Sequence, residues 1–179
     1  MMETSLEILK EKARKIKWVF TDVDGTLTDG CVYYSPQGEL LKKFSLRDGT
    51  SFFLLRQAGI KVGIITGENS PIVEQRANKL KVDKLILNGV PKIEKLKVFL
   101  DSEGLSFENV AYIGDDLNDI KLLRLCGLGF AVGDADPRAK ENADFTTERS
   151  GGNGAFREAV EKILSLVDTD VNLIIETKL

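Results

Sequence analysis

The sequence predicts an α/β fold: a Rossmann-like parallel sheet with helices on both faces, plus a protruding β-hairpin. Three observations predict it. Short apolar runs alternate with helical stretches along the chain. Three of the four central helical stretches end at a glycine, a C-cap signal. The apolar runs stop abruptly in Asp, Thr or Gly, at the strand ends where open parallel sheets bind ligands.

The elements follow in order. MMETSLEILKEKARK opens the chain as a charged amphipathic helix without an apolar signal core. KWVFTDV (17–23) reads as a buried strand. CVYYSPQGELLKKFSL (31–46) reads as the hairpin, with SPQG as its turn and Pro36 and Gly38 suitably placed. GTSFFLLRQAG (49–59), SPIVEQRANKL (70–80), KIEKLKVFLDSEG (92–104) and LNDIKLLRLCG (117–127) carry apolar residues at helical spacing. The strands KVGIITG (61–67), KLILNG (84–89), NVAYIGDD (109–116) and LGFAVGD (128–134) alternate with them. SGGNGAFREAVEKILSLV (150–167) is a glycine-rich loop followed by an amphipathic helix. DTDVNLIIETKL (168–179) is a tail whose apolar NLII can pack on another surface. There are no repeats and no low-complexity linker, so one domain over 1–179 is expected, a length that supports a substantial core.

Composition excludes several classes of function. The formal net charge of −3 and pI near 5.2 argue against nucleic acid. The lysines of KLKVDKLILNGVPKIEKLK (79–97) alternate with acids and read as a solvated face. No window is apolar enough to span a bilayer. Cys31 and Cys126 lie far apart and imply neither a disulfide framework nor a zinc site, which fits a reducing, cytoplasmic setting. The chain has no histidine, which removes serine-hydrolase triads, most zinc hydrolases and histidine phosphotransfer.

The polar residues at strand ends carry the chemistry. Asp22 and Asp24 follow WVF, Thr66 and Gly67 follow VGII, and Asp115 and Asp116 follow VAYIG. Lys92 stands after a fourth strand, near the start of a helix. Each has a plain structural reading by itself: a polar turn for DVDGT, N-capping for GDDLND, a strand-to-helix turn for ITGE, a surface lysine for Lys92. A calcium loop is excluded, because Gly25 comes at the fourth position and Tyr33 stands where the closing glutamate belongs. All four arriving at one sheet edge favours a single site. Clustered carboxylates without histidine or thiolate suit a hard cation such as Mg²⁺. A lysine, a threonine hydroxyl and glycine-rich backbone suit a phosphate. Together they point to phosphoryl transfer, with one aspartate attacking and a second, two residues on, moving the proton.

DVDGT, then ITG, then a lysine, then GDDLND resembles the four-motif signature of the haloacid dehalogenase superfamily, over about residues 17 to 167. Asp24 to Thr66 holds only the hairpin, one helix and one strand, and Lys92 to Asp115 only one helix and one strand, so neither cap insertion has room. DGTLTDG with the hairpin, FSLRDG (44–49) and GGNGAFRE (151–158) resembles the capless branch of 3-deoxy-octulosonate 8-phosphate phosphatases and their nonulosonate 9-phosphate relatives. The resemblance implies Asp22 as nucleophile and Mg²⁺ ligand, and Asp24 as general acid/base with its carbonyl on the metal. It implies Asp115 as the remaining protein ligand, Thr66, Gly67 and Lys92 as phosphate binders, and Asp119 in a supporting role. Lys92 rather than Lys95 keeps Ile93, Leu96 and Leu100 in register with the family's helix. Arg47, Asp48, Glu68, Arg76 and Lys79 are the implied substrate contacts; capping of the helix near Gly49 is the alternative for Arg47 and Asp48. A homotetramer is implied, its hairpins, including Tyr33, Tyr34 and Phe44, meeting at the centre; a hairpin folded on its own subunit is the alternative. A role in lipopolysaccharide biosynthesis is implied too.

The chain departs from the octulosonate pattern at Glu68, where ITGR is usual; with Lys79 this resembles the nonulosonate branch. The expected function is therefore a Mg²⁺-dependent phosphomonoesterase acting on a 2-keto-3-deoxy sugar acid phosphate of eight carbons, with nine carbons as the alternative. A non-catalytic oligomerisation module and a phosphatase of macromolecules are the rivals. Closure of the tail over a neighbour's site, allowed by a flexible GGNG, is a further expectation.

Overall fold

The computed structural model describes residues 2–178. The first helix, α1, spans Met2–Arg14 and leads into β1 (Trp18–Thr21). β2 (Thr28–Ser35) and β3 (Gly38–Phe44) form the hairpin, and α2 (Leu46–Gln57) leads to β4 (Lys61–Ile65). α3 (Pro71–Leu80), β5 (Lys84–Ile86), α4 (Lys92–Ser102), β6 (Val110–Gly114), α5 (Ile120–Leu125) and β7 (Leu128–Ala131) continue the alternation. α6 (Pro137–Glu141), β8 (Phe145–Thr146), α7 (Ala155–Leu166) and α8 (Val171–Lys178) complete it.

Six strands form one sheet in the order β5-β4-β1-β6-β7-β8, and every pairing in it is parallel. The order reverses beside β1: β4 and β5 are added on one side, β6 to β8 on the other. Right-handed crossovers therefore put α2 and α3 on one face and α4 and α5 on the opposite face. The contacts agree, with α2 meeting α3, α4 meeting α5, and α7 packing with both α2 and α1. The crevice of such a sheet opens at the carboxyl end of the strands flanking the reversal, where Asp22 and Asp115 lie.

Two packing details fix β1. Trp18 and Phe20 point to one face and meet Phe99 of α4 edge-on, with ring centroids 5.0 and 5.6 Å away. Gly63 stands beside Phe20 in the register, and a Cβ there would lie 2.1 Å from the Phe20 ring. The glycine is the space that the phenyl ring fills. The sheet is buried on both sides, as its nearly continuous apolar strands require.

Some expectations needed adjustment. β8 has two residues and α6 has five, too short to show a period, and neither was expected. α2 starts at Leu46, not near Gly49, because Ser45 in extended conformation accepts the Asp48 backbone N–H at 3.3 Å and caps the helix. The tail is helical as α8, and its Val171 and Ile174 pack against the chain's own core, beside α2. The GGNG loop is hydrogen-bonded at both of its first glycines: Gly151 N–H donates to Asp134 at 2.9 Å and Gly152 N–H to the Thr26 carbonyl at 3.0 Å. A Cβ on Gly151 would fall 1.7 Å from the Gly25 carbonyl oxygen, so this loop is laid directly on the DGT turn. No helix among the described residues is long and apolar enough to cross a membrane.

Candidate active site

β1 delivers the first carboxylate. Its ladder continues one residue beyond the strand, with the Asp22 N–H donating to the Ile113 carbonyl at 3.0 Å. The chain then turns on the Val23 carbonyl, which accepts the N–H groups of Thr26, Leu27 and Thr28. Gly25 sits in that turn at φ +86°, and a Cβ on it would lie 2.0 Å from Asp115 Oδ2. Conformation and close approach both demand the glycine of DGT.

β6 delivers the second group. Asp115 follows Gly114 and accepts the Thr26 hydroxyl at 3.1 Å. Asp119 lies fully buried beneath it. Its Oδ1 accepts from Lys92 at 2.7 Å and from the Tyr112 hydroxyl at 2.5 Å. Its Oδ2 accepts the backbone N–H groups of Asp115 at 2.9 Å and Asp116 at 3.3 Å. Four donors use the acceptor capacity of a carboxylate. Asp119 is therefore a brace that holds Lys92 and the Asp115 loop, although one of its oxygens lies within 4.8 Å of oxygens of Asp22 and Asp115.

Lys92 opens α4, and its ammonium is buried between Asp22, at 2.9 Å, and Asp119. Asn118 accepts from it at 3.4 Å. Lys95 is exposed on the same helix. The structure thus brings Lys92 to the strand ends and leaves Lys95 outside. Thr66 follows β4 and is buried, its hydroxyl accepting the Glu68 N–H at 3.2 Å.

Asp22, Asp24, Thr66, Gly67, Glu68, Asp115, Asp116 and Asn118 line one cleft of about 170 Å³. At ~30 Å³ per water-sized group, that holds a phosphoryl group and an ion, not a whole sugar acid. Larger hollows exist, including one of about 610 Å³ beside Arg47, Arg149 and Arg157, but there Glu158 accepts the N–H groups of Glu148 and Arg149 and Glu161 pairs with Arg157. Among the described residues the acidic group close enough to share a cation is Asp22, Asp115 and Asp119. Chemistry rather than size selects the cleft.

Its electrostatics are strained in the absence of a cation. Burial first, then the charge of Asp119, pushes Asp22 up to about 7, against the opposing pull of Lys92. Asp115 is also pushed up to about 7, by burial and then by Asp22 and Asp119. Burial alone would lower Lys92, but the charges of Asp22 and Asp119 outweigh it and raise that group. Oxygen donors that repel one another around a small cleft fit a hard divalent cation. Asp22 and Asp115 have oxygens to offer it; Asp119 has none to spare.

The structure does not bring four other candidates to the cleft. Asp48 is 2% exposed and turns the other way, accepting the N–H groups of Gly154 at 3.1 Å and Arg157 at 2.9 Å. It caps α7, which begins at a glycine that has no side chain to do so. Neither contact with substrate nor capping of its own helix describes it. Arg47 is exposed and lines the hollow with Arg149 and Arg157. Arg76 donates to the Ser45 carbonyl at 3.1 Å and lies over the Phe44 ring, so it clasps the start of α2. Lys79 is exposed on α3 and lines no part of the cleft. Glu68 does line the cleft, at its exposed rim.

Sequence reasoning missed Lys42. Its side chain is 1% exposed and reaches Asp24 Oδ1 at 2.5 Å and Glu39 at 3.1 Å. A lysine in a hairpin reads as a solvated edge residue. The available signal was alternation, which places Lys42 on the same side of the strand as the half-buried Phe44.

Comparison with known proteins agrees with this geometry. A model of the haloacid dehalogenase-like hydrolase family matches residues 84–158. The chain is similar to the 3-deoxy-D-manno-octulosonate 8-phosphate phosphatase of Haemophilus influenzae, 38% identical over 156 residues that cover 87% of each chain. The cobalt-bound structure of that phosphatase superposes with a TM-score of 0.84 at 38% identity, covering 88% of this chain and 92% of that one. The Moraxella catarrhalis phosphatase of the same name, in complex with magnesium, phosphate and KDO, superposes with a TM-score of 0.89. It is 36% identical and covers 94% of this chain and 97% of its own.

Proposed function

The chain belongs to the haloacid dehalogenase-like hydrolases, in the family of the 3-deoxy-D-manno-octulosonate 8-phosphate phosphatases, and is a phosphatase. From that premise we propose that it hydrolyses 3-deoxy-D-manno-octulosonate 8-phosphate in a Mg²⁺-dependent reaction through an aspartyl-phosphate. The observation that carries this reading is the cleft in which Asp22, Asp24, Thr66 and Asp115 converge above the buried Lys92.

The chemistry follows from the residues. Asp22 attacks phosphorus, the bond from phosphorus to the sugar oxygen breaks, and the Asp24 carboxyl gives its proton to that oxygen. Asp24 then takes a proton from water, whose oxygen displaces Asp22 and releases phosphate. Lys92 and the Thr66–Gly67 loop hold the phosphoryl oxygens. Mg²⁺, held by Asp22, Asp115 and the Asp24 carbonyl, would neutralise the carboxylates and the phosphoryl charge. The sugar acid projects past Glu68 at the rim. Similarity to a phosphatase whose structure holds KDO supports eight carbons. Phosphate release from a panel of eight- and nine-carbon sugar acid phosphates and simple sugar phosphates tests the substrate. A preference for the nine-carbon compounds would overturn the eight-carbon reading, and no turnover of any would overturn the function.

The same reading includes a homotetramer in the cytoplasm. Tyr33, Tyr34, Leu40 and Leu41 leave the hairpin with an exposed apolar surface that an assembly would cover. A monomer mass by light scattering would exclude the tetramer.

The cation and the proton compete for one site. Asp22 and Asp115 both titrate near 7, well above the ordinary 3.8. Carboxyls raised by folding contribute stability to the metal-free protein that is fully present below about pH 4 and is lost as pH rises through 7. Mg²⁺ must displace these protons, so its affinity should rise on the order of tenfold per pH unit, below about 7, for each proton displaced. Thermal unfolding with and without Mg²⁺ should therefore show a larger metal-induced rise in Tm at pH 8 than at pH 6. An equal rise at both would exclude proton–metal competition at these carboxyls.

A further inference from the structure

We propose that Lys42 is a positioning residue for Asp24, through which the hairpin holds the proton-transferring carboxyl in the cleft. The proposal rests on the reaction given above. Asp24 lies in an irregular turn just after β1, where no regular hydrogen-bond ladder fixes its direction. Among the described residues, Lys42 is the one side chain that bonds its carboxyl. The contact engages Oδ1 and leaves Oδ2 for the sugar oxygen.

The lysine is itself fixed. Its ammonium also pairs with Glu39, three residues earlier on β3. Glu39 accepts a hydrogen bond from the Ser70 hydroxyl, and Ser70 caps α3. One chain of contacts thus runs from the Asp24 turn through the hairpin to the start of α3, the helix that follows the Thr66–Gly67 loop. A lysine on a hairpin edge ordinarily extends into water. Here the side chain is 1% exposed, while Asp24 and Glu39 keep 26% and 18%. The lysine gives up hydration to reach a carboxyl that already has access to it, which marks a fixed contact rather than a solvated surface pair.

The choice of leaving group tests this. Breaking the bond to an alkoxide needs a proton from Asp24, whereas p-nitrophenolate leaves as a stable anion. kcat/KM reports the transfer of phosphoryl to Asp22, so the ratio of alkyl to aryl kcat/KM isolates proton donation. Lys42→Met should lower that ratio on the order of tenfold or more. Lys42→Arg, which keeps a charged donor, should restore it to within about threefold of wild type. Lys42→Gln serves where the methionine variant does not fold, with the same expected direction. Equal losses on both substrates, or an unchanged ratio, would overturn the proposal. Wild type and Asp24→Asn run alongside. Wild-type inactivity on the sugar acid would defeat only the substrate assignment, and the ratio is then read on whichever alkyl phosphate is hydrolysed. An unchanged ratio in Asp24→Asn would remove the role given to Asp24, and this proposal with it.

Discussion

Asp22→Asn should abolish turnover while leaving the metal-free protein no less stable. The amide keeps the size of the carboxyl but is not a nucleophile, so no bond to phosphorus forms. Loss of a nucleophile of this kind lowers kcat on the order of 10⁴-fold or more. Stability should move the other way. In the metal-free protein the Asp22 charge is a net burden: burial and the charge of Asp119 push its titration up to about 7 although Lys92 lies 2.9 Å away. A raised carboxyl costs stability as pH climbs from about 4 through 7, and a neutral amide does not. Lys92 keeps Asp119 as its partner at 2.7 Å. The expected result is a Tm at pH 8, without metal, equal to or above that of wild type, and a smaller loss of Tm between pH 5 and pH 8. Added Mg²⁺ should stabilise the variant less than wild type, because one ligand has lost its charge. A variant that is inactive because it is unfolded would show none of this, and residual turnover above about 1% would remove Asp22 as nucleophile.

What the sequence made legible is local. Apolar runs ending in aspartate located the strands, the edge they share and the residues at their tips, because strand burial and strand ends are both written in consecutive residues. Lys92 was preferred to Lys95 through the resemblance, which keeps Ile93, Leu96 and Leu100 in register with the family's helix; helix geometry alone does not separate two lysines three residues apart on one face. The unread part is long-range. Lys42 meets Asp24 across 18 positions, and the composition of a hairpin gives no hint that one of its lysines turns inward. Asp48 was read for its neighbours in FSLRDG, but its carboxyl serves a helix 106 positions away that starts with a glycine. Arg76 had the charge for a substrate and instead spans 31 positions to the Ser45 carbonyl. Charged side chains are long enough to choose between partners, and the choice is made by the tertiary fold.

Lys92→Met should lose both activity and stability, which separates it from every other cleft variant. The ammonium is buried and, among the described residues, is the one cation between Asp22 and Asp119, whose carboxyls are otherwise left facing each other. Removing one partner of a buried ionic cluster typically costs about 3–5 kcal/mol, since the remaining charges stay buried without compensation. For a domain of this length each kcal/mol moves Tm by roughly 2–4 °C, so a fall on the order of 10 °C is expected without metal. Protonation offers the variant a partial escape. Asp22 lies near its titration point already, so the deficit should be larger at pH 8 than at pH 5. Mg²⁺ should recover part of it by supplying positive charge on the cleft side, but activity should stay low because the phosphoryl oxygens have lost a fixed cation. Lys95→Ala, exposed on the same helix, should stay within about 0.5 kcal/mol of wild type and keep its turnover. If Lys95→Ala were the damaging change and Lys92→Met the silent one, the brace of Tyr112, Asp119 and Asp22 around Lys92 would have no part in holding this site.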